Sequence, residues 1–189
     1  MKTPSKPFSR KGFTLIELLV VIAIIAVLAA AGFAVGPAMM NRAKKLSAQA
    51  TATSIANAVE QFYTEYSALP DPETSTADAE FATDAAPLLE ILTGTSTSDQ
   101  NPRKIRFLSV KAAKNGLDGA IYSGNTISKI LDPWGKPFYI RLDYDYDERL
   151  SISPPKAPAA TLNGKRVAVY SNGASELTEA SAKTLVKSW

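Results

Sequence analysis

From residue 18 to residue 35 no side chain is polar, and the apolar run already begins at Phe13, interrupted only by Thr14 and Glu17. A helix over residues 13–35 would be roughly 35 Å long at 1.5 Å per residue, enough to cross a hydrocarbon core of ~30 Å. The pattern therefore predicts a membrane-spanning helix over residues 13–37. Beyond it the text changes character: Ala52, Ile55, Val59, Phe62 and Tyr66 recur at steps of three and four, while Asn57, Glu60, Gln61, Thr64 and Glu65 take the other faces. Apolar on every side becomes apolar on one stripe, and a stripe faces a core. Pro70 and Pro72 end the segment. The expectation is one long helix over 13–66, its first half in lipid and its second half packed on a domain. Gly32, Gly36 and Pro37 sit close together at the membrane exit and predict a kink or soft point. Gly32 and Gly36 read either as a GxxxG pair for close helix approach or as helix-weakening residues.

Shorter patterns fill the rest. Asp84, Pro87 and Gly94 frame an apolar stretch as N-cap, first-turn proline and C-terminal glycine of a short helix. Residues 103–110 read as a strand. Residues 138–146 read as the strongest one: Phe138, Ile140, Leu142, Tyr144 and Tyr146 alternate with Tyr139, Arg141, Asp143 and Asp145, which predicts one packed and one wet face. Residues 153–165 are a proline-rich loop, 167–171 a short apolar strand, and 176–187 a last helix behind a Ser175 cap. The fold class these elements define is α+β, with a long N-terminal helix packed by its outer half on a small antiparallel β-sheet. Residues 1–12 form a leader, 13–37 the span and 38–189 the head.

Charge orients the chain. Lys2, Lys6, Arg10 and Lys11 precede the span without an acidic residue, which keeps that end cytoplasmic and sends the head outside. Arg42, Lys44 and Lys45 run against a strict count, but basic side chains snorkel to headgroups. The formal charge of +3 misleads: the leader holds four of the 21 basic residues and none of the 18 acidic ones, leaving seventeen against eighteen afterwards. Beyond residue 12 the chain carries no global field for nucleic acid. Histidine and cysteine are both absent. That removes Ser-His and Cys-His nucleophile pairs and the ligands zinc favours, and it leaves an exported head without disulfides. The composition points away from an enzyme. An ordinary secretory signal, cut near Ala29-Ala30-Ala31, fits poorly because the apolar run continues past it.

Lys11-Gly12-Phe13-Thr14-Leu15-Ile16-Glu17 followed by the apolar run resembles the N-terminus of type IV prepilins and type II secretion pseudopilins. The resemblance covers roughly residues 10–35. It implies a pilin-like fold and no catalytic residues of the chain's own. It implies cleavage between Gly12 and Phe13 by a membrane-embedded prepilin peptidase, and N-methylation of the new terminal Phe13. It also implies that Glu17 meets the terminal amine of a neighbouring Phe13 during assembly. The residues alone offer a second reading of Glu17, since Thr14-Leu15-Ile16-Glu17 has the form of a capping box. Implied partners are the peptidase, further copies of the chain, minor pilins or pseudopilins and the inner membrane.

Asp132-Pro133-Trp134-Gly135, late in the chain and just before a strand, resembles a turn common in major pseudopilins of type II secretion. With the missing cysteines it favours a secretion pseudopilus subunit. A type IV pilus subunit for adhesion, motility or DNA uptake, and a signal-anchored periplasmic protein that never polymerises, are the other readings. Arg103, Lys104, Arg106, Lys111 and Lys114 form a basic run, read as strand-edge protection rather than a DNA face. Asp143, Asp145, Asp147 and Glu148 suit a hard cation such as calcium, but the spacing fails as an EF-hand, with Glu148 in place of its glycine and Pro154 in place of its bidentate glutamate. In major pseudopilins calcium sits after a Tyr-Ser-x-Gly strand end. Tyr170-Ser171-Asn172-Gly173 keeps that frame without the aspartate that should follow. A solvated acidic strand is the default expectation, and no cofactor is required.

Overall fold

The computed structural model describes residues 12–84, 87–95, 99–154, 158–174 and 185–189, without the side chains at 31 and 33–35. The leader lysines and Arg10 lie outside the described residues. The chain divides into two compact units, Met1–Asn41 and Arg42–Trp189.

Helix α1 is Leu15–Tyr66. It carries Pro37 in its interior and runs on through Gly32, Gly36 and Pro37, the place where a kink or soft point is expected. Pro37 lacks only one N–H, the donor that residue 33 would otherwise have received. In the first unit the large apolar side chains are exposed: Phe13 is 82% exposed, and even Val21, the most covered of the large ones over residues 13–28, is 45% exposed. Among the described residues no helix is long and apolar enough to cross a membrane. The described apolar side chains run unbroken only over residues 18–30, short of the roughly twenty a span needs, although the helical backbone continues.

The second unit is an α+β head in which a helix precedes antiparallel sheets, a pilin-like arrangement. The expected stripe of α1 is its core face: Ala52, Ile55, Val59 and Phe62 are buried, joined by Ala48 and Ala58, with Tyr66 packed at the margin. Helix α2, Pro87–Thr93, buries Leu88, Leu89, Ile91 and Leu92 in the same cluster. It ends as a Schellman motif: Gly94 N donates to Ile91 O at 3.2 Å and Thr95 N to Glu90 O at 3.0 Å, with Gly94 at φ 70°. Proline opens the helix as expected.

The main sheet orders four strands as β1 (Ala79–Ala82), β4 (Tyr139–Leu142), β7 (Val167–Ser171) and β8 (Val186–Lys187). Hairpins β2–β3 (Gly119–Ser123, Thr126–Leu131) and β5–β6 (Arg149–Ile152, Ala160–Asn163) complete the head. Register explains how both faces of the main sheet are used. Phe81, Ile140 and Val169 align across three strands and join the α1 core, as do Leu142 and Val167. On the opposite face Tyr139 stacks on Tyr170 at 5.1 Å, and Tyr170 and Ala168 pack with Leu150 and Ile152 of β5.

Three expectations need correction. Residues 103–110 are not a strand: Lys104 takes φ 51°, and the Phe107 and Leu108 amides both donate to the Leu92 carbonyl rather than to a ladder. The strand expected over 138–146 is only Tyr139–Leu142, because Tyr146 turns at φ 57°. The alternation breaks with it, so that Asp143, assigned to the wet face, is fully buried while Tyr146, assigned to the core, is 49% exposed. The last helix lies largely outside the described residues, and its expected end, Val186–Lys187, is instead strand β8, paired with Tyr170 and Ser171.

Candidate functional site

The first helical turn is closed by its own side chains. Thr14 stands at the N-cap, its carbonyl accepting from Leu18 N at 3.3 Å. Glu17 N donates to Thr14 Oγ1 at 3.3 Å, while the Thr14 amide and hydroxyl each donate to Glu17 Oε2 at 2.8 Å. That is a capping box, reciprocal and complete. Gly12 and Phe13 precede it in exposed backbone, and a Cβ placed on Gly12 would meet nothing within 4 Å. The structure thus brings Gly12, Phe13 and Glu17 into one short, accessible segment. Gly32 and Gly36 also have nothing near a would-be Cβ, so their backbone is open to a neighbour.

The Asp132-Pro133-Trp134-Gly135 turn is held by a buried carboxylate. Asp132 is fully buried; its Oδ1 accepts from Trp134 N at 2.9 Å and Lys136 N at 2.8 Å, and Ser171 Oγ donates to its Oδ2. Burial pushes the Asp132 carboxyl up, while the Ser171 hydroxyl and the two amides pull it down. Gly135 closes the turn onto Asp132 O at φ 80°, and Trp134 packs on the core as expected. The Tyr170-Ser171-Asn172-Gly173 frame is accordingly the partner of this turn: Ser171 Oγ also accepts from Gly173 N at 3.2 Å. Sequence reasoning placed the two motifs but not their bond across the sheet.

The acidic residues separate. Asp147 Oδ1 accepts from Arg149 N at 2.7 Å, and Glu148 contributes its backbone amide to Asp143 Oδ2 at 3.0 Å. Asp143 and Asp145 instead join Asp78, each offering an oxygen within 4.8 Å of the others. Burial, then the Asp145 carboxylate, pushes Asp143 above the usual range; Asp78 is raised by burial and then by Asp145, with Arg141 pulling the other way. Asp78 was not foreseen, because it lies far from the others in sequence and only the β1–β4 register brings it in. Of the basic run, Arg103 pairs with Glu65, and Lys111 with Asp118 at 2.5 Å.

A capped helix behind an exposed Gly-Phe junction, followed by an α+β head with antiparallel sheets, is a pilin-like arrangement. Residues 7–33 match the family model described as the prokaryotic N-terminal methylation motif. No curated protein and no solved structure matches the chain. The motif indicates a prepilin-type substrate and implies processing by a prepilin peptidase and pilin-like assembly, and it points to a structural subunit rather than an enzyme.

Proposed function

We propose that the chain is a structural subunit of a type II secretion pseudopilus. The observation that carries this reading is the methylation motif over residues 7–33, set on an apolar helix whose described large side chains are exposed. Cleavage after Gly12 leaves Phe13 as a methylated N-terminus. The apolar segment 13–37 holds the subunit in the inner membrane with its head outside, and then bundles with other copies in the filament. Burying that segment in lipid or among neighbours removes apolar surface from water, which is the driving force.

Glu17 serves two ends in this account. In the isolated chain it caps its own helix. Inside the membrane a charged carboxylate costs about 2.5–3.5 kcal/mol, and the amine created at Phe13 is a second charge in the same layer. A Glu17 reaching a neighbour's amine offsets both costs and fixes the step between subunits.

Secretion is preferred to a pilus because the Asp132-Pro133-Trp134-Gly135 turn, tied to Ser171, resembles that of major pseudopilins, and because no cysteine is present. The deciding experiment deletes the gene and assays both protein export and surface fibres. Loss of export with fibres intact supports the pseudopilus; loss of fibres with export intact makes the chain a type IV pilus subunit.

A further inference from the structure

Arg42, Lys44 and Lys45 open the second unit, and no acidic side chain lies on α1 between Glu17 and Glu60. Positive charge just beyond a proposed span, on the outer side, opposes the usual distribution and calls for a reason of its own. Reading outward from Pro37, Ala48 is the first residue of α1 to be buried. The basic residues therefore occupy the stretch immediately before the helix meets the head.

A distant part of the chain adds to this charge. Ser47 Oγ donates to Asp118 Oδ1 at 2.9 Å, while Lys111 Nζ donates to Ser47 Oγ at 2.9 Å and to Asp118 Oδ2 at 2.5 Å. Lys111 and Asp118 neutralise each other, and their clasp holds the chain between them at the Ser47 level of α1. That chain closes in a tight turn. Lys114 N donates to Leu117 O at 2.9 Å and Leu117 N to Lys114 O at 3.1 Å, with Asn115 at φ 53° and Gly116 at φ 74°, the two positive φ values of an Asn-Gly type I′ turn. Residues 114–117 are exposed throughout, the apolar Leu117 at 42%. A Cβ on Gly135 would lie 3.0 Å from Leu117 Cδ2, which sets the exposed Lys136 close by. Arg42, Lys44 and Lys114 form no ion pair among the described residues. Acidic groups collect at the other end: Asp145 clusters with Asp78 and Asp143, and the adjoining Tyr146 meets Tyr63, roughly 24 Å further along α1 than Ser47 at 1.5 Å per residue.

We propose that this end of the head docks on an anionic phospholipid surface, with Arg42, Lys44, Lys114 and Lys136 against the phosphates and Leu117 entering the boundary of the acyl chains. The inference rests on the proposed placement of residues 13–37 in the membrane. From residue 37 to Ser47 is about 15 Å of helix, so chain connectivity keeps this surface within reach of the headgroup layer. Cations around one exposed apolar side chain on a tight turn suit that layer, since basic groups are drawn to anionic headgroups while an apolar tip passes beneath them. The same surface repels the acidic end, which leaves the head one docking orientation. The acidic end of a second copy is the other anionic surface at hand, but lipid is tethered to every anchored chain before any assembly. Docking holds the processed subunit against its leaflet and is given up when the chain enters a filament.

The test places the full processed chain, one per disc, in nanodiscs of phosphatidylcholine alone or with added phosphatidylglycerol. The sequence has no cysteine, so Leu117→Cys carries a single environment-sensitive fluorophore, and Asp147→Cys labels the acidic end in a second sample. Phosphatidylglycerol should move the emission at 117 to the blue and shield it from acrylamide, raised salt should reverse both, and the label at 147 should ignore the lipid. Lys114→Gln and Arg42→Gln alter exposed side chains and should each lower the ratio of docked to undocked heads roughly fivefold. Co-elution with discs reports the membrane segment separately. A chain that enters discs of neither composition overturns the membrane placement and the docking with it; one that enters both while the label at 117 ignores phosphatidylglycerol overturns the docking alone. A shift that appears only with several chains per disc, whatever the lipid, is contact with a second copy and overturns it too, as do Lys114→Gln and Arg42→Gln variants that dock like wild type.

Discussion

Helix α1 holds two kinds of apolar surface, and their difference explains what each half is for. Over residues 13–28 every large apolar side chain is at least 45% exposed, whereas Ile55, Val59 and Phe62 are at most 1% exposed. The second half has a stripe because its partner is the chain's own sheet, which covers one side. The first half is apolar on every side, the pattern of a helix covered all round, and its described large side chains are exposed. In the proposed function, lipid and other subunits are what cover such a helix.

The largest effect expected from this contrast lies at its junction with assembly. Glu17→Gln retains an acceptor for the Thr14 amide, so capping is largely preserved. The variant should be cleaved and retained in the membrane yet fail to enter filaments beside wild type, as read by immunoblots of sheared fibres or by crosslinking. Assembly at the wild-type level would reduce Glu17 to a cap.

Truncating the two halves should give opposite results. Phe62→Ala removes a fully buried ring that meets Phe107 at 5.4 Å and Tyr66 at 4.8 Å, and should destabilise the head by about 3–5 kcal/mol. Leu19→Ala, at a site 54% exposed, should leave the urea midpoint of the head unchanged while weakening membrane retention or assembly. Equal shifts from both changes would break the contrast.

Gly94→Ala probes the head alone. The residue sits at φ 70°, and a Cβ there would lie 2.6 Å from the Lys104 carbonyl oxygen. Left-handed backbone on a residue with a side chain costs about 1–3 kcal/mol before that clash is counted. A urea melt showing no loss would mean the turn repacks freely.

Alkaline pH should act only on the head, and more gently. Burial first, then nearby carboxylates, raises Tyr144, whose hydroxyl donates to Pro70 O at 2.6 Å; burial and the bond to Glu80 raise Tyr170. Above about pH 10 the unfolded chain releases these phenol protons while the folded head keeps them, so stability falls as pH rises. Tyr144→Phe or Tyr170→Phe should flatten that slope in denaturant melts taken between neutral and alkaline pH. An unaltered slope would mean that neither phenol is held neutral by the fold.

What the sequence made legible follows the same division. The long helix, its stripe from Ala52 to Tyr66, the Pro87 start and Gly94 stop of α2, and strand β7 were readable because each rests on local periodicity or local backbone chemistry. The Thr14 and Glu17 box was readable for that reason too. Residues 103–110 looked like a strand because Ile105, Phe107, Leu108 and Val110 are set among polar residues, but such a pattern says nothing of where the amides go, and Leu92 takes two of them. Asp143 was misplaced because the period was carried past Leu142 into a turn. Asp78 beside Asp143, and Ser171 on Asp132, are facts of register between distant strands, and no local pattern encodes them.

The central claim is that residues 1–12 are removed and Phe13 becomes the terminus that assembles. Intact-mass analysis of the protein extracted from membranes tests it most directly. The account predicts a chain that starts at Phe13 and carries one added methyl group; a mature chain starting at Met1, or near Ala31, would contradict it.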